Sequence, residues 1–117
     1  MTPEGAVKKD VKKILDSYEA YYYMPVQNGM GRVGIPDFIA CVPVEITPDM
    51  VGKTIGAFMA IETKAPGKIK GATANQRREL KDISRAGGGA FVTDKADLVD
   101  TTIRYLRQTG TTFYFAP

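Results

Sequence analysis

Glu62 and Lys64 stand two residues apart in the segment Ala57-Phe-Met-Ala-Ile-Glu-Thr-Lys-Ala65. On a strand that spacing puts a carboxylate and an amine on the same face, while Met59 and Ile61 point to the other. Such a pair is costly to desolvate unless the charges neutralise each other or hold an ion. Asp37 follows Pro36 at the head of a second apolar run, 36 to 43. If the runs 36–43 and 57–65 pair, Asp37 comes beside Glu62, and two carboxylates at a strand end make a seat for a hard divalent cation. Gln76 lies in the first turn of a helix that starts near residue 74. It is uncharged and can orient a water or a phosphate oxygen, and a helix N-terminus favours phosphate. Each residue alone has a plainer reading: an exposed ion pair, a turn residue after proline, ordinary helix-surface polarity.

The composition narrows the chemistry. The 117 residues contain no histidine and one cysteine, Cys41. That excludes a Ser-His-Asp triad, a Cys-His pair, histidine- or cysteine-ligated zinc, and an internal disulfide. Any metal must be held by oxygen, which favours Mg²⁺ or Mn²⁺. Cys41 sits in an apolar run and reads as a buried thiol. No run of apolar residues is long enough to span a membrane, and the first ten residues lack a signal peptide's hydrophobic stretch. The expectation is a single domain of 117 residues, soluble and cytoplasmic. A net charge of +3 is compatible with a polyanionic partner.

Around these residues the sequence predicts helices and strands in a simple order. Residues 3–18 form an amphipathic helix with Val7, Val11, Ile14, Leu15 and Tyr18 at helical spacing, capped by Thr2 and started by Pro3. Strands follow at 20–26, 36–43 and 57–65, then a helix from 74 to Gly87 or Gly88, a strand at 90–94, and a helix over 96–110 with Leu98, Ile103 and Leu106 inward. Residues 112–117 suit an edge strand. The order α-β-β-β-α-β-α predicts an α/β sandwich around one mixed sheet.

Two glycine motifs are decoys. Gly29, Gly31 and Gly34 spell G-x-G-x-x-G, but a dinucleotide loop must open a helix and an apolar strand follows instead, so the strands on either side of "NGMGRVG" are expected to form a hairpin. Gly52-Lys53-Thr54 lacks the P-loop's earlier glycine, since that position is Thr47. No nucleotide cofactor is expected.

Taken together, Pro36-Asp37, Glu62-Thr63-Lys64 and Gln76 resemble the PD-(D/E)xK nuclease superfamily. With Glu4 early in the first helix, and with "GIPDF", "AIETK" and "ANQ" in order, the chain resembles the VRR-NUC family, especially its small stand-alone phage-type members. The resemblance runs from about Glu4 to Leu106, although the string Val-Arg-Arg itself does not occur. It implies a restriction-endonuclease-like core and metal-dependent cleavage of DNA. Asp37, Glu62 and the Thr63 backbone carbonyl would hold Mg²⁺ or Mn²⁺, with Glu4 ligating through water or holding a second metal. Lys64 would position the attacking water and offset charge in the transition state, and Gln76 would orient nucleophile or phosphate. Lys8, Lys12, Lys68, Lys70, Arg77, Arg78 and Lys81 would line a basic path giving salt-sensitive, sequence-independent binding. Stand-alone members are associated with homodimers and with four-way (Holliday) junction cleavage, and the tyrosines of "YEAYYYM" could supply a dimer face. The alternative is a catalytically idle DNA-binding module of the same fold.

Overall fold

Thr2 starts the first helix. Its side-chain oxygen accepts from the Gly5 N–H at 2.9 Å, Pro3 fills the first turn, and helix α1 runs Pro3–Ser17. The structure is a computed structural model that describes residues 1–26 and 34–117. The chain divides into two compact units, Met1–Val44 and Glu45–Pro117.

In the first unit, β1 (Tyr21–Tyr23) pairs antiparallel with β2 (Ile39–Cys41), with Tyr22 opposite Ala40. The Tyr22 ring meets Phe38 with centroids 6.1 Å apart. Val11 and Leu15 are half-buried, whereas Val7, Ile14 and Tyr18 on the same helix are exposed. Cys41 is buried at 7% exposure, and that burial pushes its thiol pKa up. Most of the glycine-rich stretch, residues 29–33, lies outside the described residues. From Gly34 the chain reaches β2 without forming a helix.

In the second unit, β3 (Met59–Thr63), α2 (Ala74–Arg85), β4 (Gly89–Thr93), α3 (Ala96–Thr109) and β5 (Tyr114–Phe115) follow in order. The strands form one parallel sheet, ordered β3-β4-β5, with Glu62 beside Val92 and Thr63 beside Thr93. β4 is buried along its whole length, as the centre of a parallel sheet requires, and Phe91 and Val92 are fully buried. Leu80 and Ile83 of α2 complete the core.

Helix α2 stops in a Schellman motif. The Gly88 N–H donates to the Ile83 carbonyl and the Gly87 N–H to that of Ser84, with Gly87 at φ +96°. Gly88 is needed for space: a Cβ there would meet Ile83 Cγ2 at 2.8 Å.

Three expectations change. The strands do not make one mixed sheet; the described residues form a two-stranded antiparallel sheet and a three-stranded parallel one. The run 36–43 shortens to three residues and pairs antiparallel with β1, as the expected hairpin requires, but the further ladder between 36–43 and 57–65 that would bring Asp37 beside Glu62 is not formed. The physical reason is the β3-α2-β4 crossover, which gives β3 a parallel partner in β4, while Pro43 limits the extension of β2. On α3, Ile103 is 40% exposed and Thr102 is buried instead. The Thr102 hydroxyl donates to the Leu98 carbonyl at 2.6 Å, so its polar atom is satisfied within the helix. Among the described residues no helix is long and apolar enough to cross a membrane.

Candidate functional site

β3 and the start of α2 meet at Glu62, Lys64 and Gln76. Parallel pairing with β4 fixes the end of β3, and the Lys64 N–H continues the ladder by donating to the Thr93 carbonyl at 2.9 Å. Thr73 then caps α2. Its hydroxyl oxygen accepts from the Gln76 N–H at 3.1 Å, and Gln76 Oε1 accepts in return from the Thr73 N–H at 2.9 Å. This is a capping box with glutamine at the third helical position.

The same Gln76 amide reaches across to β3. Oε1 also accepts from Lys64 Nζ at 3.0 Å, while Nε2 donates to Glu62 Oε1 at 2.9 Å. Lys64 Nζ lies 3.5 Å from that Glu62 oxygen. Two donors converge on one end of the amide and a carboxylate on the other, so only one orientation of the amide satisfies all its partners. The lysine and glutamate side chains are 19% and 31% exposed, half-withdrawn from water. Glu62 Oε2 makes no hydrogen bond or ion pair among the described residues. A shallow depression of about 330 Å³ beside the cluster is lined by Ala60, Glu62, Gln76, Glu79 and Leu80, among others.

The loop from β3 to α2 is also tied down. The Gly67 N–H donates to Asp94 Oδ2 at 2.9 Å, which anchors the segment bearing Lys68 and Lys70 to the end of β4. Both lysines are exposed.

In the first unit, Lys8 Nζ lies 3.9 Å from Asp37 Oδ2. Lys8 thus faces one of the expected metal ligands. Glu4 is one turn from Lys8 and shares its side of α1. Lys12 is exposed one turn further on. Among the described residues, no group of three or more acidic or sulfur side chains is placed to hold a metal ion.

Arg77 does not present its guanidinium to solvent as a member of a basic path would. Nε donates to the Ala72 carbonyl at 3.2 Å, Nη1 to Ala116 at 2.7 Å, and Nη2 to Lys70 at 3.1 Å and also to Pro117. Arg77 is a clasp that binds residues 70–72 and 116–117 to the start of α2. Arg78 and Lys81 are exposed on the helix surface.

Thr73 is the participant that chemistry-first reading missed. Its signal is in the sequence, since Thr-x-x-Gln is the capping-box pattern. Asp94 was missed as well, and its partner lies 27 residues away. Compared with known proteins, the chain matches no family model, no curated protein and no solved structure.

Proposed function

We propose that the chain is a metal-dependent, structure-selective DNA endonuclease that hydrolyses phosphodiester bonds in branched DNA, in the manner of a Holliday-junction resolvase. The observation that carries the reading is the Glu62–Gln76–Lys64 cluster. An acid, an amide and an amine meet at one strand end against a helix N-terminus, the place where a phosphate is best received.

Glu62 and the Thr63 carbonyl offer oxygen donors of the kind Mg²⁺ or Mn²⁺ takes, and Glu62 Oε2 is available for one. The resemblance adds Asp37 and Glu4 as the further acidic candidates. A bound divalent ion would lower the pKa of its water and polarise the scissile phosphate. The chain's own groups do the rest. Lys64, oriented by Gln76, places a fixed positive charge where the phosphate gains negative charge. Gln76 holds that ammonium against Glu62 and keeps the carboxylate oriented. A homodimer would present two such sites to the two strands of a junction.

A second reading has an observation of its own. Glu62 and Lys64 satisfy each other through Gln76 without an ion, as a purely structural cluster would. On that reading the chain is an idle DNA-binding module.

Cleavage of labelled four-way junction, flap and linear duplex with Mg²⁺, with Mn²⁺ and with EDTA separates the two. Cutting that needs metal and is lost in Lys64→Ala and Asp37→Ala supports the enzyme. Loss of a single preorganised charge is expected to slow cutting about 10²–10³-fold. Binding without cutting in either metal would leave the module.

A further inference from the structure

The cations of α2 do not face the Glu62–Gln76–Lys64 cluster. At roughly 100° per residue, Arg78, Lys81 and Arg85 lie about 200°, 140° and 180° around the helix axis from Gln76. They form a stripe on the outward face, opposite the side that packs on the sheet through Leu80 and Ile83. Beside the stripe the edge strand β5 brings up Tyr114, and together they line a groove of about 540 Å³. Its lining contains Arg77, Arg78, Lys81 and Arg85 against a single carboxylate, Asp82.

The state of each side chain matters. Arg77 is committed to backbone carbonyls. Arg78 holds only the neutral Asn75 amide, at 2.6 Å, so its charge is uncompensated. Arg85 lies 3.4 Å from Asp82 but is 70% exposed, so the pair is weak and exchangeable. Lys81 has no hydrogen bond or ion pair among the described residues. Tyr114 is 43% exposed at the edge of the groove.

We propose that this groove is a second seat for nucleic acid, distinct from the cutting site. It takes the phosphate backbone of a strand that is not being cut, with the Tyr114 ring stacking on an unpaired base. From Arg78 to Arg85 the helix rises about 10 Å at 1.5 Å per residue. Phosphates of one strand follow each other every ~3.4 Å along a duplex axis, so that length spans about three of them. Aromatic platforms beside cations are how single strands are held without reading sequence. The proposal deepens the nuclease reading: a branched substrate has arms or tails beyond the cut, and this face would hold one.

The test measures binding in EDTA, where no metal chemistry intervenes. Fluorescence anisotropy would follow a labelled duplex carrying a single-stranded tail, and a blunt duplex of the same length. The proteins are wild type, Arg78→Ala/Lys81→Ala/Arg85→Ala, Tyr114→Ala and, as a control of exposed charge elsewhere, Arg104→Ala/Arg107→Ala on α3. Thermal melting would verify that each variant folds, and Arg77 is left in place because it is a clasp. The triple variant is expected to bind about 10- to 100-fold more weakly at low salt, and the slope of log K against log salt should fall by about 2–3. Tyr114→Ala should lose about tenfold on the tailed DNA and little on the blunt one. The α3 control should stay within about twofold, since scattered surface charge contributes little.

Unchanged affinity and slope in the triple variant would overturn the proposal. So would displacement of the DNA by poly-glutamate at equal charge concentration, which would make the groove a seat for acidic polypeptide. Failure of the nuclease reading would look different: Lys64→Ala would cut as well as wild type, or nothing would cut, while the groove variants still lost affinity.

Discussion

Replacing Gln76 with alanine removes three interactions at one stroke. Two involve charged partners, Lys64 Nζ at 3.0 Å and Glu62 Oε1 at 2.9 Å, and the third caps the Thr73 N–H at 2.9 Å. Hydrogen bonds to charged groups contribute about 1.5–3 kcal/mol when fully buried. Here the lysine and glutamate retain 19% and 31% exposure, so water takes back part of that. About 0.5–1 kcal/mol each is the appropriate scale once solvent screening is allowed for. The cap adds about 0.5 kcal/mol, its amide being reachable by water. Alanine returns a few tenths through helix propensity, too little to decide the outcome. The net expectation is a loss of about 1–2 kcal/mol, or roughly 4–8 °C in melting temperature for a chain of this size. Urea unfolding followed by circular dichroism would read it. The informative comparison is Thr73→Ala, which removes the cap but leaves the bridge, and should cost about 1 kcal/mol at most. If Gln76→Ala is no more destabilising than Thr73→Ala, the Gln76 bridge contributes nothing and Lys64 and Glu62 are not held together through it.

Arg77→Lys keeps the charge but cannot reproduce the fork that holds the carbonyls of residues 70, 72 and 116. It should cost about 1–2 kcal/mol in urea unfolding and change low-salt DNA affinity less than about threefold. Gly88→Ala puts a Cβ 2.8 Å from Ile83 Cγ2 and 3.3 Å from the backbone oxygens of Ile83 and Phe58. It should destabilise by about 2 kcal/mol or more, and a variant that melts with wild type would show that this close approach is absent. Cys41 has its thiol pKa raised above the ordinary 9.0 by burial. A group raised in the folded state contributes stability that is present below the unfolded value and lost as pH rises through the folded one. Stability should therefore fall on the alkaline side of pH 9, and the thiolate absorbance of the native protein should appear at higher pH than that of the unfolded chain.

What was legible in the sequence is what depends on neighbours along the chain. The Glu62-x-Lys64 spacing placed two side chains on one face because a strand alternates, and the structure puts their charges 3.5 Å apart. Thr2 and Thr73 start helices through contacts three residues long, and Pro3 suits the first turn of α1 by its fixed φ. The antiparallel pairing of β1 with β2 was legible as well, because a short glycine-rich connection between two strands favours a hairpin. What an apolar run does not say is whether its other edge takes a further strand, and β2 forms no ladder with β3. Arg77 shows the same limit. Its partners at 116 and 117 lie 39 and 40 residues away, so a cation that resembled a phosphate contact is spent on backbone. Ile103 was misplaced because the apolar period ignores a threonine that can satisfy its own hydroxyl inside the helix.

The first turn of α2 and the Glu62–Lys64 pair are joined through one amide, and that makes them a single dynamic unit. Helix ends open locally far more often than whole domains unfold. When the first turn of α2 opens, Gln76 swings away with it, and Lys64 and Glu62 lose their bridge in the same event. The lifetime of the assembled cluster is then the lifetime of one helical turn. Amide exchange at Gln76 and Arg77, whose N–H groups donate to Thr73, becomes a clock for how often the cluster stands ready. Warming should disassemble it well before the sheet around Phe91 and Val92 gives way, so the temperature at which the cluster fails and the temperature at which the protein melts need not coincide.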